Sequence, residues 1–535
     1  MKLLRLELDG RYKLLNNCVF DFSQANSSCI ALIGLNGCGK SQFLELLAEC
    51  LSHLERCQRP DFRVRQKLTF GFTLEYELHP EPTPESNGIY LIKVTPSSAV
   101  TVELKQNGIT TDLSIKDTPL PDHWIGYASG NNENLQRAFL KNALQYYETT
   151  NVRANRLKRL RTSPGELHID IEEYYSNRYP GIFPHTDTYG QISDKETPIP
   201  NGLYLDYDSS TLLVASLSCL KKKQLDELFP DIEYRYPISF KVKYDLRDSF
   251  ASPDAIDDLE QLSELVGESC TENPENTYTD EEMLLRTCSG AFNFDLNKEE
   301  LSETLRGGDY WTPRTLFLKL FRIQLLGAKH WQSRDKKNLR NDAFDGNVKK
   351  PLKGKLPLEV TELKLCNGDG KCIDFDDLSD GEAQLMVSLG ITKTFSDAQT
   401  LFLFDEPEAH LNPHWRTEFH QHLSNALGEG TATSHVLVST HSPFMISSLK
   451  KGNVFHFTRD EEPIVSMSPA EYDTYGASFE SLVRQYFDLD SLISKTVVDE
   501  ILKRLEGDHA EARAWIESEL SPSMEKAYLL SKLQN

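Results

Sequence analysis

Apolar and polar residues alternate over "LLRLEL" (3–8) and "CVFDF" (18–22), and a continuous apolar run, "CIALIG" (29–34), follows. Alternation with period two predicts half-buried strands, and the unbroken run predicts a strand buried on both faces. Strand-like runs return at "LTFGFTLEYEL" (68–78), "IYLIKV" (89–94) and "AVTVELKQNG" (99–108), separated by Pro, Ser and Asn-Gly signals. The N-terminal part is therefore expected to hold a β-rich lobe. Residues 135–163 are apolar at helical spacing and basic, 203–229 predict a strand followed by a helix, and 312–331 predict a helix with a basic side. Two further short apolar runs, "LFLF" (401–404) and "HVLV" (435–438), predict buried parallel strands. Between these blocks, 254–283 is strongly acidic and expected at the surface, and 334–357 is polar and lysine-rich and expected as a loop. Residues 497–520 have helical periodicity with Gly507 as a break. There is no internal repeat and no long heptad run.

Length and composition bound this picture. The chain has 535 residues, 39% hydrophobic and 26% charged, which suits two or three globular lobes. It has no apolar run of about eighteen residues and starts on a strand pattern instead of a signal sequence, so a cytoplasmic protein without membrane contact is expected. Ten cysteines without C-x₂-C spacing point to reduced thiols, and the six-residue separation of Cys366 and Cys372 is taken as chance. A formal charge of −23 argues against a surface that coats nucleic acid, while leaving room for a local basic groove.

The chemistry is concentrated at a few turns. "GLNGCGKS" (34–41) has the spacing of a phosphate-binding loop. Gly34, Gly37 and Gly39 let backbone N–H groups converge on phosphate oxygens, Asn36 and Gln42 flank them, Lys40 supplies a full charge, and Ser41 offers a hydroxyl to Mg²⁺. At the carboxyl end of "LFLF", Asp405 is suited to holding Mg²⁺, and Glu406 to polarising a water that attacks a γ-phosphate. The next apolar run delivers His441 toward the same phosphate. Upstream, "DDLSDGEAQLMVSLG" (376–390) places Ser379, Gly381 and Glu382 in a turn at a helix N-terminus.

In this order, the loop, "LSDGE", "LFLFDEPEAHL" and "STH" resemble the ABC-type ATPase fold. The expected fold class is α/β: a P-loop sheet with an antiparallel β-subdomain, a large mixed or helical insertion and a helical C-terminus. Ser379 lies 338 residues after Ser41, whereas in transporter subunits the two motifs lie far closer together. With "EPEAHLNP", "IGYASG" and the C-terminal "YDTYGASFESL", the pattern is similar to the soluble SMC-like and OLD-like AAA ATPases of bacterial anti-phage and restriction-associated systems, the Septu ATPases above all. That resemblance implies ATP and Mg²⁺ as cofactors and head-to-head pairing. Lys40, Ser41, Asp405, Glu406 and His441 would act in cis, with Ser379 and Gly381 in trans. It also implies a nuclease effector acting in trans, of HNH type as in Septu-like systems. "LEGDHAEA" (505–512) superficially matches a Toprim entry motif, but only 28 residues follow Gly507. The expected division is an ATPase lobe 1–133, an interaction insertion 134–356, a second ATPase lobe 357–475 and a helical segment 476–535.

Several assignments stay open. No clear glutamine-loop residue is present, leaving Asn131 or Asn132, and Tyr12 is either an adenine-stacking or a core tyrosine. The basic groups at Arg153, Arg156, Lys158, Arg159 and Arg161, and at Lys336, Lys337, Arg340, Lys349 and Lys350, suit either phosphate contacts to DNA or a solvated face. Alternatives to the defence ATPase are an SMC-like DNA-repair or tethering machine and an ATP-bound regulatory scaffold with little turnover.

Overall fold

The computed structural model describes residues 1–64, 67–78, 88–96, 99–129, 133–184, 197–246, 253–267, 271–272, 289–346, 348, 356–428, 434–459, 465–489 and 493–532. The chain forms two compact units, Met1–Tyr475 and Gly476–Asn535.

At the centre of the larger unit is a seven-stranded sheet in the order Gly202–Leu205, His123–Ala128, Thr400–Asp405, His435–Ser439, Cys29–Ile33, Val454–Arg459, Val465–Pro469. The first six strands are mutually parallel and the last closes as an antiparallel hairpin. Every residue of Cys29–Ile33, Thr400–Asp405 and His435–Ser439 is buried, as the unbroken apolar runs predict for strands covered on both faces.

A six-stranded antiparallel sheet, Val19–Asp21, Lys2–Asp9, Gly71–Leu78, Gly88–Val94, Val100–Gln106, Ile109–Leu113, supplies the β-rich lobe. The helix Lys40–Gln58 shares one continuous apolar core with both sheets, through Phe43, Leu47 and Leu51 against Leu6, Phe20, Phe72, Leu401, Leu437 and Phe455. Each such side chain contributes roughly 1.5–3 kcal/mol by leaving water. The fold is thus the α/β, P-loop type with an antiparallel β-subdomain.

A third, antiparallel sheet joins Thr271–Glu272, Ser289–Asp295, Tyr236–Asp245, Leu358–Cys366 and Cys372–Asp374, so its strands come from both sides of residue 356. Strand Gly202–Leu205 of the central sheet and the helix Glu133–Thr162, which packs on Lys40–Gln58, also come from the stretch 134–356. The smaller unit holds the helices Phe479–Tyr486, Lys495–Leu505, His509–Glu519 and Met524–Lys532. Gly507 lies at the break between the second and third, and Asp508 caps the third by accepting from the N–H groups of Ala510 and Glu511.

Three sequence expectations are corrected. Cys366 and Cys372 are directly opposite across an antiparallel hairpin and form a disulfide, because a six-residue separation spans the tight turn between their strands. Within the acidic stretch, Pro253–Val266 is a helix that buries Ala255, Leu259 and Leu262; its Asp258 is also buried and meets Lys319 at 2.9 Å. Within the stretch expected as a loop, Ser333–Leu339 is helical and Leu339 joins a small core with Leu140 and Leu144. No helix among the described residues is long and apolar enough to cross a membrane.

Candidate nucleotide site

The strand Cys29–Ile33 runs into the glycine loop, and Gly34, Gly37 and Gly39 all have positive φ (137°, 80° and 104°). Gly34 has a second constraint: a Cβ there would lie 2.3 Å from the carbonyl oxygen of Phe457. Gly39 stands at the N-cap of the helix Lys40–Gln58, with no side chain accepting from the first turn. The N–H groups of that turn are left for an external acceptor, at the helix's partial positive end. Leu35, Asn36 and Gly37 are exposed at the mouth, and a Cβ on Gly37 would meet nothing within 4 Å. This geometry is an open anion cradle that fits a phosphate chain.

The polar side chains converge from separate segments. Ser41 Oγ donates to Asp405 Oδ1 at 2.9 Å, joining the loop to the end of Thr400–Asp405. Lys40 Nζ donates to the carbonyl oxygens of Gly34 (2.9 Å) and Leu35 (3.2 Å) and lies 3.0 Å from His441 Nε2. His441 Nε2 is in turn 3.5 Å from Glu406 Oε1. Burial, then the neighbouring Lys40 ammonium, pushes the imidazole pKa down to about 4, so His441 is neutral at pH 7 and its Nε2 accepts from Lys40. Burial also holds Lys40 below its ordinary value, against the pull of Cys38, Glu406 and Asp405. Glu406 is raised, first by burial and then by Asp405, which makes it a stronger base than a free carboxylate.

Glu406 has a backbone φ of 52°, and its N–H donates to Ser439 O at 2.9 Å, which fixes the turn at the end of its strand. A pair beneath it escaped the sequence reading of individual residues. The Glu408 carboxyl, fully buried, accepts from the hydroxyl of Thr440, and Thr440 Oγ1 accepts from the N–H of Ser442 at 2.9 Å. This links the Asp405–Glu406 turn to the His441 turn, and burial pushes the Glu408 pKa up to about 7. The signal was a second glutamate two positions after Glu406, within "EPEAHL".

Ser379 lies elsewhere, exposed at the N-terminus of the helix Asp380–Phe395. It is bound in a capping box with Glu382: Ser379 N–H donates to Glu382 Oε2 at 3.0 Å and Glu382 N–H to Ser379 Oγ at 3.3 Å. Gly381 is close enough to the His410 carbonyl that a Cβ would lie 3.0 Å away, and Gln384 accepts from the N–H of His410 at 2.9 Å. The helix Asp380–Phe395 is therefore locked to the segment that follows Glu406. Among the described residues no hydrogen bond links Ser379, Gly381 or Glu382 to the glycine loop.

Gln42 turns away from the loop mouth and accepts from the N–H of Leu14 at 3.1 Å, bracing the small hairpin Arg11–Tyr12 and Leu15–Asn16. Tyr12 is 5% exposed, packs edge-on against Phe70 and accepts from Arg137, which makes it a core tyrosine. Asn131 and Asn132 lie outside the described residues, as do Lys349 and Lys350.

Much of the basic clusters is engaged internally. Arg156 is buried against Glu172 and lies 5.0 Å from the Phe183 ring centre, Arg159 covers Tyr174 and Tyr175, and Arg340 meets Glu148 at 2.6 Å. The basic side of the helix Pro313–Leu325 faces Asp258 through Lys319 and Arg322.

Residues 271–447, which carry Ser379, Asp405, Glu406 and His441, match the family described as "AAA domain, putative AbiEii toxin, Type IV TA system". Protein ea59 of Escherichia phage lambda is 28% identical over 113 residues; the match spans 21% of this chain and 21% of the phage protein. Solved structures with a similar arrangement include the Smc head domain from Pyrococcus furiosus bound to the C-terminal domain of ScpA (14% identity, 92% of this chain and 100% of that chain, TM-score 0.32). The SMC head domain from Thermotoga maritima is another (11% identity, 88% of this chain and 100% of that chain, TM-score 0.30).

Proposed function

We propose that this chain binds and hydrolyses ATP as the ATPase subunit of a bacterial anti-phage defence complex, pairing head to head and controlling a nuclease that acts in trans. The observation that carries the ATPase reading is the convergence of Lys40, Ser41, Asp405, Glu406 and His441, delivered by three neighbouring parallel strands, on one glycine cradle. Lys40 gives up its loop carbonyls for the β- and γ-phosphates. Ser41 and Asp405 would hold Mg²⁺, which would draw charge from the phosphate oxygens. Glu406, its basicity raised by burial, takes the proton of the attacking water, and neutral His441 holds the γ-phosphate side of the site. The helix N-terminus at Ser379, exposed on the surface of one copy, supplies the second positive end that the γ-phosphate of a partner copy needs. Closure then depends on ATP, and hydrolysis releases it. Support for the defence setting is the family description, which names an AbiEii toxin, and the partial likeness to a phage protein.

The test is hydrolysis and native mass with ATP for the wild type, Glu406→Gln and Ser379→Arg, purified gently from the native host. Glu406→Gln should keep ATP and the dimer while turnover falls about a hundredfold or more. Ser379→Arg should bind ATP yet neither pair nor turn over, and a small nuclease should accompany the wild type. Hydrolysis by Glu406→Gln at the wild-type rate removes the base assignment. A DNA-bound homo-oligomer without a nuclease would replace the defence reading with a tethering machine.

A further inference from the structure

The helix Pro413–Leu427 starts at Asn412, whose side chain accepts from the N–H of Trp415, with Pro413 in the first turn. The four-residue spacing of Glu418 and His422 puts both on one face. That face is met by Asp231, from the turn that follows the helix Lys222–Leu228. The turn is rigidly placed: Phe229 and Ile232 on either side of Asp231 are buried, and Arg235 donates to the carbonyl of Ile232 at 2.7 Å.

The three side chains converge at ion-pair distance without a hydrogen bond to the buried imidazole. His422 Nε2 is 3.0 Å from Asp231 Oδ2 and 3.7 Å from Glu418 Oε2, and one ligand atom of each residue lies within 4.8 Å of the other two. The His422 side chain is 8% exposed, yet neither of its ring nitrogens has a hydrogen-bond partner among the described residues, and neither does buried Glu418 Oε2. Two carboxylates thus face one buried imidazole at ion-pair distance with no hydrogen bond to its ring nitrogens.

We propose that Asp231, Glu418 and His422 form a binding site for a divalent transition metal of the zinc class, separate from the nucleotide site. A tetrahedral ion with ligand bonds of about 2.0–2.1 Å needs donor atoms about 3.3 Å apart. The 3.0 and 3.7 Å separations bracket that value, so small side-chain rotations complete the set. An imidazole with carboxylates favours zinc-like ions, whereas the hydroxyl and carboxylate of Ser41 and Asp405 suit Mg²⁺. Water takes the fourth position. The bound ion clamps the helix that follows the Glu406 turn to the segment 229–235, and so ties the insertion to the ATPase lobe.

The experiment uses the untagged full chain, stripped with a chelator and free of nucleotide, titrated with Zn²⁺ by calorimetry and with Co²⁺ by visible absorption. One ion per chain should bind, with Tm rising as Zn²⁺ is added, and a large excess of Mg²⁺ should not displace it. His422→Gln, and Asp231→Asn at an exposed position that leaves the core untouched, should each weaken Zn²⁺ binding at least about tenfold. The Co²⁺ spectrum should show tetrahedral coordination without thiolate charge transfer. Failure to retain Zn²⁺, unchanged affinity in Asp231→Asn and His422→Gln, or a thiolate band would each overturn the assignment. Asp405→Asn, which alters only the Mg²⁺ ligand, should leave the titration unchanged, and loss of binding there would place the ion in the nucleotide site instead.

Discussion

Glu408 is a buried carboxyl bonded to Thr440, with no charged partner at hydrogen-bond distance among the described residues. In the fold it stays protonated to about pH 7, whereas in the unfolded chain it ionises near 4.5. A raised folded pKa means that its contribution to stability is complete below 4.5 and is lost as pH climbs through 7. His435 and His123, buried and neutral, have the opposite sign. Their pKa values are pushed down to about 3 and about 4, so their contribution is present above the ordinary value of 6.5 and is lost as pH falls through those values. Glu408→Gln keeps an acceptor for Thr440 and removes only the carboxyl's titration. Melting temperatures of the variant and the wild type across about pH 5 to 8 should show the variant gaining on the wild type as pH rises, while the histidine effects cancel in the difference. A flat difference would mean that Glu408 is ionised in the fold. Such a residue was visible in the sequence as a letter in "EPEAHL", but not as a neutral acid, because its state depends on burial beneath two turns 32 positions apart.

The helix Lys40–Gln58 shows what periodicity can and cannot tell. Its sequence is an amphipathic stretch, and 15 of its 19 residues are buried, polar ones among them. Glu133–Thr162 packs on this helix, and the buried charges pair within the helix, with Glu133–Thr162 and with Asp342. Lys141 Nζ meets Glu49 Oε1 at 2.8 Å, Arg56 meets Glu49 at 3.1 Å and Asp342 at 2.7 Å, and Arg137 meets Glu45. The glycine loop was legible because its spacing is local. This network was not, because Arg137, Lys141 and Asp342 come from far along the chain. The Cys366–Cys372 disulfide escaped similarly, since it depends on the register of a hairpin. Removing one partner of a buried ion pair typically costs about 3–5 kcal/mol, because the other charge is left without compensation. Arg56→Met should therefore lower denaturant stability by about that amount. Adding Asp342→Asn to Arg56→Met should cost less than the sum of the two single changes, because the second removes a charge that the first has already orphaned. Strict additivity would show that the Arg56–Asp342 contact carries no coupling.

At the scale of the whole chain, all residues of the candidate nucleotide site, from Gly34 to His441, belong to the unit Met1–Tyr475, whereas Gly476–Asn535 forms a second unit of four helices. Gly476 lies at the junction with φ 71°, and a Cβ there would meet nothing within 4 Å. A protease site placed between Tyr475 and Gly476 and cut in the folded chain separates the units without touching the cradle. A ligand that binds only the folded state stabilises it by about 2.7 kcal/mol at a hundred times its Kd. If the site is complete within the larger unit, the rise in Tm produced by ATP and Mg²⁺ should be the same before and after the cut, and Lys40→Ala should abolish it in both. A shift that disappears on cutting would assign part of the nucleotide site to the helical unit. The phosphate cradle, the carboxylates and the histidine would then form an incomplete set, although the core around Lys40–Gln58 already fixes their positions.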